Sequence, residues 1–170
     1  MSDVPSRPED LFAEVCRDHT GLMVKTAHAF THSAADRDDL YQEILVSVWQ
    51  ALPQFKGQAK LSTYVYRVAH SCALNWKRSR QRYRHKLDRF ALETPELTAS
   101  PEQRERVAWL YARIHQLPPV DRTLILLHLD KLSYADMAEV TGLTESNIGV
   151  RLHRIKQQLT KLSEESSHEI

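Results

Sequence analysis

Two short motifs near the N-terminus carry side chains that coordinate metal ions in proteins. Cys16 and His19 are three positions apart, and His28 and His32 lie one helical turn apart. The same residues also suit ordinary helix packing, and a chain with nine histidines forms such pairs by chance. A zinc or other soft-metal site is kept as an alternative, and we expect no bound metal.

Catalytic motifs are missing from the sequence. It contains no G-x-x-x-x-G-K phosphate loop and no G-x-S-x-G turn that would present a nucleophilic serine. We therefore predict that the protein is not an enzyme and needs no cofactor.

Aromatic and cationic side chains are interleaved on a predicted helix from about residue 62 to 84. This helix follows a loop, residues 53–60, that contains proline and glycine. Rings that stack on bases, cations that contact phosphates and a pliable loop that holds an extruded base are what binding of single-stranded DNA requires. Tyrosines at helix margins are also common without any such role. The side chains that we expect outside the core or on its flanks are Tyr64, Tyr66, Arg67, Asn75, Lys77 and Arg78, and those expected toward the core are Leu61, Val65, Val68, Cys72 and Trp76.

The C-terminal part shows a helix, a glycine turn and a second capped helix. Ser133 and Asp136 resemble a capping box, Gly142 supplies the turn, and Thr144 caps the next helix. The apolar residues of that second helix form one narrow stripe: Ile148, Leu152, Ile155 and Leu159. This pattern predicts a helix-turn-helix.

The opposite face of the second helix is polar and cationic. It presents Ser146, Val150, His153 and Gln157, flanked by Asn147 and Arg154. A valine in the middle of such a face suits contact with a thymine methyl group in the major groove. The alternative is an ordinary surface helix of a bundle.

A helix that begins at Asp36 and ends before Pro53 carries a second candidate surface. Leu40, Ile44 and Val48 form its core side. The other side combines acids, amides and two apolar residues, as protein interfaces with an aromatic anchor do: Asp39, Gln42, Glu43, Val46, Trp49 and Gln50. Packing of Trp49 on a neighbouring helix is the alternative explanation.

These patterns belong to an all-α protein with two small helical domains. Helical periodicity runs from Pro8 to about residue 30, then over 36–52 and 62–84, and later near 102–116, 120–130, 133–140 and 144–162. We expect an N-terminal domain over 8–90, a flexible proline-containing linker over 91–101 and a C-terminal domain over 102–163.

Composition and charge agree with a cytoplasmic protein. The 170 residues are 42% hydrophobic and 26% charged, with a net charge of +1, so any affinity for nucleic acid must come from local clusters. Residues 77–89 hold seven cations and one acid, which suits either a solvated helix end or a phosphate-contacting surface. The first residues lack a basic segment followed by an apolar core, so we expect no secretion, and no apolar run is long enough for membrane insertion.

Several motifs together resemble the extracytoplasmic-function (ECF) sigma factors of bacterial RNA polymerase. In the N-terminal half these are Asp36-Arg-Asp-Asp-Leu-Tyr-Gln-Glu43 with Trp49, Phe55-Lys-Gly57 and Thr63-Tyr-Val-Tyr-Arg-Val-Ala69. In the C-terminal half they are Leu117-Pro118 through Arg122, Leu132-Ser133-Tyr134, Met137-Ala138 and Arg151-Leu-His-Arg154. The similarity extends from about Glu9 to Leu162.

The resemblance implies a sigma factor that binds core RNA polymerase and directs promoter recognition, DNA melting and transcription initiation. It also implies binding to duplex and melted promoter DNA and an anti-sigma factor as regulator. The implied polymerase-binding residues are Asp39, Gln42, Glu43, Val46 and Trp49. The implied minus-ten contacts are Phe55, Lys56, Gly57, Gln58, Lys60, Tyr64, Tyr66, Asn75, Lys77 and Arg78. The implied minus-thirty-five contacts are Ser133, Tyr134, Thr144, Ser146, Asn147, Gly149, Val150, Arg151, His153 and Arg154.

The chain departs from the family pattern at three positions. Tyr64 stands where tryptophan is frequent, and Gly149 and Val150 replace a cation and a small polar residue. Gly149 removes a DNA contact and weakens its helix by about 1 kcal/mol relative to alanine. A stand-alone helix-turn-helix regulator is the alternative function, although it leaves the surface around Trp49 unexplained.

Overall fold

The computed structural model describes residues 7–83 and 100–167, and within these ranges every regular element is a helix. The prediction of an all-α fold is confirmed. The described residues form two compact units, one on each side of the boundary between Pro95 and Glu96. Residues 84–89 of the cationic stretch and residues 91–99 of the expected linker lie outside the described residues.

The described residues of the N-terminal unit, 7–83, form four α-helices and one short 3-10 helix. These are α1 (Pro8–Asp18), α2 (Thr20–Phe30), α3 (Ala34–Ala51), the 3-10 turn Leu52–Gln54 and α4 (Leu61–Tyr83). Pro8 occupies the first turn of α1, where its missing N–H costs nothing. Ser33 caps α3 by accepting a hydrogen bond from the Asp36 backbone N–H at 3.1 Å, so that this helix begins two residues before the predicted start.

The single helix expected from Pro8 to about residue 30 is wrong. The chain leaves helical geometry at His19, with φ −122° and ψ 7°, and a new helix starts at Thr20. The hydroxyl of Thr20 donates to the carbonyl oxygen of Cys16 across this break. A side-chain donor can thus satisfy one of the carbonyls that the end of α1 leaves without a helical partner.

The core of the N-terminal unit lies between α2, α3 and α4. Leu40, Ile44 and Val48 of α3 are fully buried, as predicted. On α4 the buried stripe is Val65, Ala69 and Ala73, whereas Val68, Cys72 and Trp76 are only partly buried. The predicted core side of α4 is therefore partly wrong. The helix is rotated about its axis relative to the prediction, so that the small residues Ala69 and Ala73 face the core instead of the longer side chains.

The C-terminal unit contains α5 (Pro101–Ile114), α6 (Pro119–Leu129), α7 (Tyr134–Thr141) and α8 (Glu145–Ser167). Ser100 and Gln103 form a reciprocal capping box, so Pro101, which we assigned to the linker, is the first residue of α5. The last helix runs five residues beyond its predicted end at 162. The largest fully buried side chains of its core are Ile114, Leu124, Leu127, Met137, Ile148 and Leu152.

Two connections fix the order of these helices in space. Between α5 and α6 the buried guanidinium of Arg122 donates to the carbonyl oxygens of Leu117 at 2.9 Å and His115 at 2.6 Å. Between α6 and α7 Lys131 adopts a left-handed conformation with φ 59°, and the Leu132 N–H donates to the Leu127 carbonyl at 3.0 Å. This second arrangement is a Schellman turn with lysine at the position where glycine is preferred.

Candidate protein and nucleic-acid interfaces

The outer face of α3 is a mixed apolar and polar surface. Five predicted interface residues are exposed there and are named the α3 surface: Asp39, Gln42, Glu43, Val46 and Trp49. Val46 keeps 54% and Trp49 43% of its surface accessible. The Trp49 ring also packs edge-on against Phe12 of α1, with centroids 5.1 Å apart. Trp49 therefore packs on a neighbouring helix and still leaves part of its ring accessible, and its place in a protein interface stays a prediction.

Tyr64 and Tyr66 are buried in the core, and the prediction that they lie outside it or on its flanks is wrong. The Tyr64 hydroxyl donates to the Ala51 carbonyl oxygen at 2.8 Å, and its ring lies 5.0 Å from the ring of Phe55. The Arg67 guanidinium lies over the Tyr64 ring, 5.0 Å from its centroid. Tyr64 therefore holds the loop between the 3-10 turn and α4 in place, and its ring is not presented for base stacking.

The loop held by Tyr64 presents most of its polar side chains to solvent. Lys56, Gln58 and Lys60 are exposed, and Phe55 is partly buried. Gly57 has φ +68°, a left-handed conformation that residues with a Cβ atom rarely adopt, so the turn favours glycine. This local signal is visible in the sequence, whereas the contact that fixes the loop on α4 is not.

A polar stripe runs along α4 away from this loop. At about 100° per residue, Arg67, Ser71, Asn75 and Arg78 lie on one side of the helix, and all four are exposed. The predicted contacts Asn75 and Arg78 are thus brought into line with the loop, while Lys77 is partly buried beside them. The predicted contact set omitted Arg67, whose place beside Tyr64 depends on the folded loop.

The helix-turn-helix forms as predicted. Ser133 Oγ accepts a hydrogen bond from the Asp136 backbone N–H at 3.1 Å and donates to Asp136 Oδ2 at 2.7 Å. Gly142 has φ +73° and ends α7 in a left-handed conformation. Thr144 Oγ1 accepts from the Asn147 N–H at 3.3 Å at the start of α8.

The two sides of α8 separate apolar from polar residues. Ile148, Leu152 and Ile155 are buried, whereas Leu159 is only partly buried. The predicted outer face is exposed: Ser146, Asn147, Val150, His153, Arg154 and Gln157. Val150 is 59% exposed at its middle.

Two predicted DNA contacts on α8 have neighbours on other helices of the same unit. A Cβ atom at Gly149 would lie 3.5 Å from Cε2 of Tyr134 on α7, in ordinary van der Waals contact. Arg151 forms an ion pair with Asp121 of α6 at 2.7 Å and a hydrogen bond with Asn147 at 2.8 Å. The sequence gives no signal for the contacts with Tyr134 and Asp121, because these two partners are far away along the chain.

The described part of the chain has neither a candidate metal site nor a candidate membrane span. Among residues 7–83 and 100–167, no three His, Cys, Asp or Glu side chains come close enough to hold a metal ion. No helix within those same ranges has both the length and the apolar character needed to cross a membrane.

Comparison with known proteins identifies both units. Residues 9–83 match sigma-70 region 2, and residues 108–159 match sigma-70 region 4. The RNA polymerase sigma factor YlaC of Bacillus subtilis is 25% identical over 169 residues, which cover 95% of this chain and 94% of YlaC. The ECF RNA polymerase sigma-E factor of Haemophilus influenzae is 26% identical over 142 residues, covering 75% of this chain and 74% of that protein.

The fold is also found among solved structures. The sigma factor RpoE, solved in complex with the anti-sigma factor NepR from Bartonella quintana, has a TM-score of 0.72 at 18% identity and covers 92% of this chain and 98% of that chain. A helical region 2 unit followed by a helix-turn-helix region 4 unit defines a sigma factor of RNA polymerase. This chain belongs to the extracytoplasmic-function sigma factors of the sigma-70 family. The region 2 match accounts for the N-terminal unit, which a stand-alone helix-turn-helix regulator would leave unexplained.

Proposed function

We propose that this sigma factor binds core RNA polymerase through the α3 surface. The observation that carries the proposal is the pair of exposed apolar side chains, Val46 and Trp49, among acids and amides on the outer side of a helix whose inner side is fully buried. An aromatic anchor inside a polar rim is the usual composition of a binding surface. The surface is held rigid by the core residues Leu40, Ile44 and Val48 beneath it.

The melted minus-ten strand is proposed to run from the loop at 55–60 along the polar stripe of α4. Lys56, Gln58 and Lys60 surround the loop where an extruded base would be held, and Arg67, Asn75 and Arg78 continue the path. Tyr64 supports this path from beneath, through its hydrogen bond to Ala51. Tyr66 is not part of it, because its side chain is buried.

The upstream, minus-thirty-five element is proposed to lie against the outer face of α8. Val150 would contact a thymine methyl group, and Ser146, His153 and Arg154 would contact base edges or phosphates on either side. Domains over 8–90 and 101–163, joined by a linker over 91–100, would then bind the two promoter elements separately.

Regulation by an anti-sigma factor is the third part of the proposal. The support is the structural neighbour RpoE, which was solved with its anti-sigma factor NepR. Such a partner would bind this protein in the cytoplasm and so prevent it from binding polymerase and promoter DNA there.

The proposed function is tested by run-off transcription on fragments of genomic DNA. Core polymerase with this protein should give discrete transcripts that core polymerase alone does not give. The free protein should bind duplex promoter DNA weakly and with strong salt dependence, because its net charge is only +1 and its cations are local. Tight sequence-specific duplex binding without polymerase, together with no new transcripts, would contradict the proposal.

A further inference from the structure

Arg151 is held by two hydrogen bonds at the edge of the outer face of α8. Its Nη1 donates to Asp121 Oδ1 at 2.7 Å, and its Nε donates to Asn147 Oδ1 at 2.8 Å. The Arg151 side chain is 35% exposed and that of Asp121 only 16%. We call these three residues the Arg151 clamp.

The clamp joins two helices that are separate in sequence. Asp121 lies in the first turn of α6, where the helix dipole stabilises a carboxylate, and Arg151 lies in the second turn of α8. The short distance and the partial burial make this a stronger contact than an exposed surface ion pair, since water and salt screen it less. Arg151 thus has a partner inside the protein before DNA arrives.

The clamp also orients the amide of Asn147. A guanidinium only donates hydrogen bonds, so the atom of Asn147 that faces Arg151 is the amide oxygen and the amide nitrogen points elsewhere. The backbone N–H of Asn147 is bonded to Thr144 at 3.3 Å, so both the main chain and the side chain of this exposed residue are restrained. A side chain ordered in advance loses less entropy when it contacts a base.

We propose that Arg151 is a positioning residue for promoter recognition and not a phosphate contact. The ion pair with Asp121 keeps the Arg151 guanidinium from contacting DNA phosphates. Arg151 in turn holds α8 and the amide of Asn147 in the orientation in which they meet the base edges. The clamp therefore raises specificity and lowers sequence-independent binding. This inference rests on the proposed role of α8 at the upstream element.

The test measures binding of the assembled holoenzyme to a promoter and to random duplex DNA over a series of salt concentrations. Arg151→Gln should leave the salt dependence as in wild type but reduce preference for the promoter roughly threefold to tenfold. Arg106→Gln is the matched control, since it removes one exposed cation on α5, and it should change neither quantity. A fall of about 0.9 in the salt slope for Arg151→Gln would show a phosphate contact and overturn the proposal.

Asp121→Asn gives the opposite perturbation. It removes the charge that holds Arg151, so random duplex should bind several-fold more tightly, with a salt slope steeper by up to about 0.9. Unchanged binding to random duplex would contradict the proposal.

A conservative variant covers the case in which Arg151→Gln does not fold. Arg151→Lys keeps the charge but cannot donate to Asp121 and Asn147 from a planar fork, so preference for the promoter should fall at constant salt slope. Retention of wild-type preference by the lysine variant would indicate a simple charge contact and overturn the proposal.

A promoter with a scrambled upstream element separates this proposal from the proposed function. If wild-type holoenzyme binds the scrambled promoter as well as the native one, α8 does not read that element. The proposed role of α8 at the upstream element and the clamp proposal are then both overturned. If wild type requires the element but Arg151→Gln lowers the salt slope, only the clamp proposal is overturned.

Discussion

Removal of the Trp49 ring is expected to weaken binding of core polymerase strongly. A tryptophan side chain buries up to about 250 Å² in an interface, and the exposed fraction of 43% leaves roughly 110 Å² to be covered. At about 25 cal/mol per Å², Trp49→Ala loses about 3 kcal/mol of binding free energy, or roughly 100-fold in Kd. Gln42→Ala on the same surface should weaken binding further.

Part of the effect of Trp49→Ala falls on stability, because the ring also packs against Phe12 at 5.1 Å. A pair of valines separates the two effects. Val46 on the α3 surface is 54% exposed and Val24 on α2 is 42% exposed, so truncation of either to alanine changes folding little. Val46→Ala should weaken polymerase binding several-fold, whereas Val24→Ala should not.

The assay is titration of labelled protein with core polymerase, with helicity and thermal unfolding measured in parallel. A helical, folded Trp49→Ala variant that binds within twofold of wild type would refute the assignment of the α3 surface. Equal effects of Val46→Ala and Val24→Ala would refute it as well.

The remaining predictions concern DNA recognition and stability. Val150→Ser should relax discrimination at one base pair of the upstream element by about 1 kcal/mol, measured with randomised promoters. Gly149→Arg should strengthen upstream binding and steepen its salt dependence, because the new Cβ fits beside Tyr134 at 3.5 Å; unchanged occupancy would argue against this. Burial lowers the pKa of His70 to about 4, whereas in the unfolded chain the imidazole has its ordinary pKa of 6.5 and binds a proton more readily. Stability should therefore fall by about 3 kcal/mol from pH 7 to pH 4, and denaturant titrations of His70→Gln should lack this component. Lys131→Gly should raise the free energy of unfolding by about 0.5–1 kcal/mol by relieving the left-handed backbone at φ 59°, and an unchanged melting temperature would contradict this.

Most features that depend on neighbours in sequence were predicted correctly, although the break at His19 and the caps at Ser33 and Ser100 were not. The caps at Ser133 and Thr144 and the turn at Gly142 involve bonds within a few residues, so residue type and spacing were sufficient to predict them. The outward side of α3 and the inward side of α8 follow from helical periodicity in the same way. The two-domain helical class and the family resemblance rest on such local patterns.

Other features depend on contacts between distant segments, and only the tertiary structure decided them. Tyr64 seemed suited to base stacking, yet the loop before α4 folds back and buries its ring against Phe55. Arg151 has the residue type of a phosphate contact, yet it meets Asp121 thirty positions away. Periodicity shows which residues share a side of a helix, but it cannot show which segment covers that side. The sequence by itself therefore determined most of the helices, the caps of α7 and α8 and the class of protein, whereas long-range packing decided which tyrosines and cations remain on the surface.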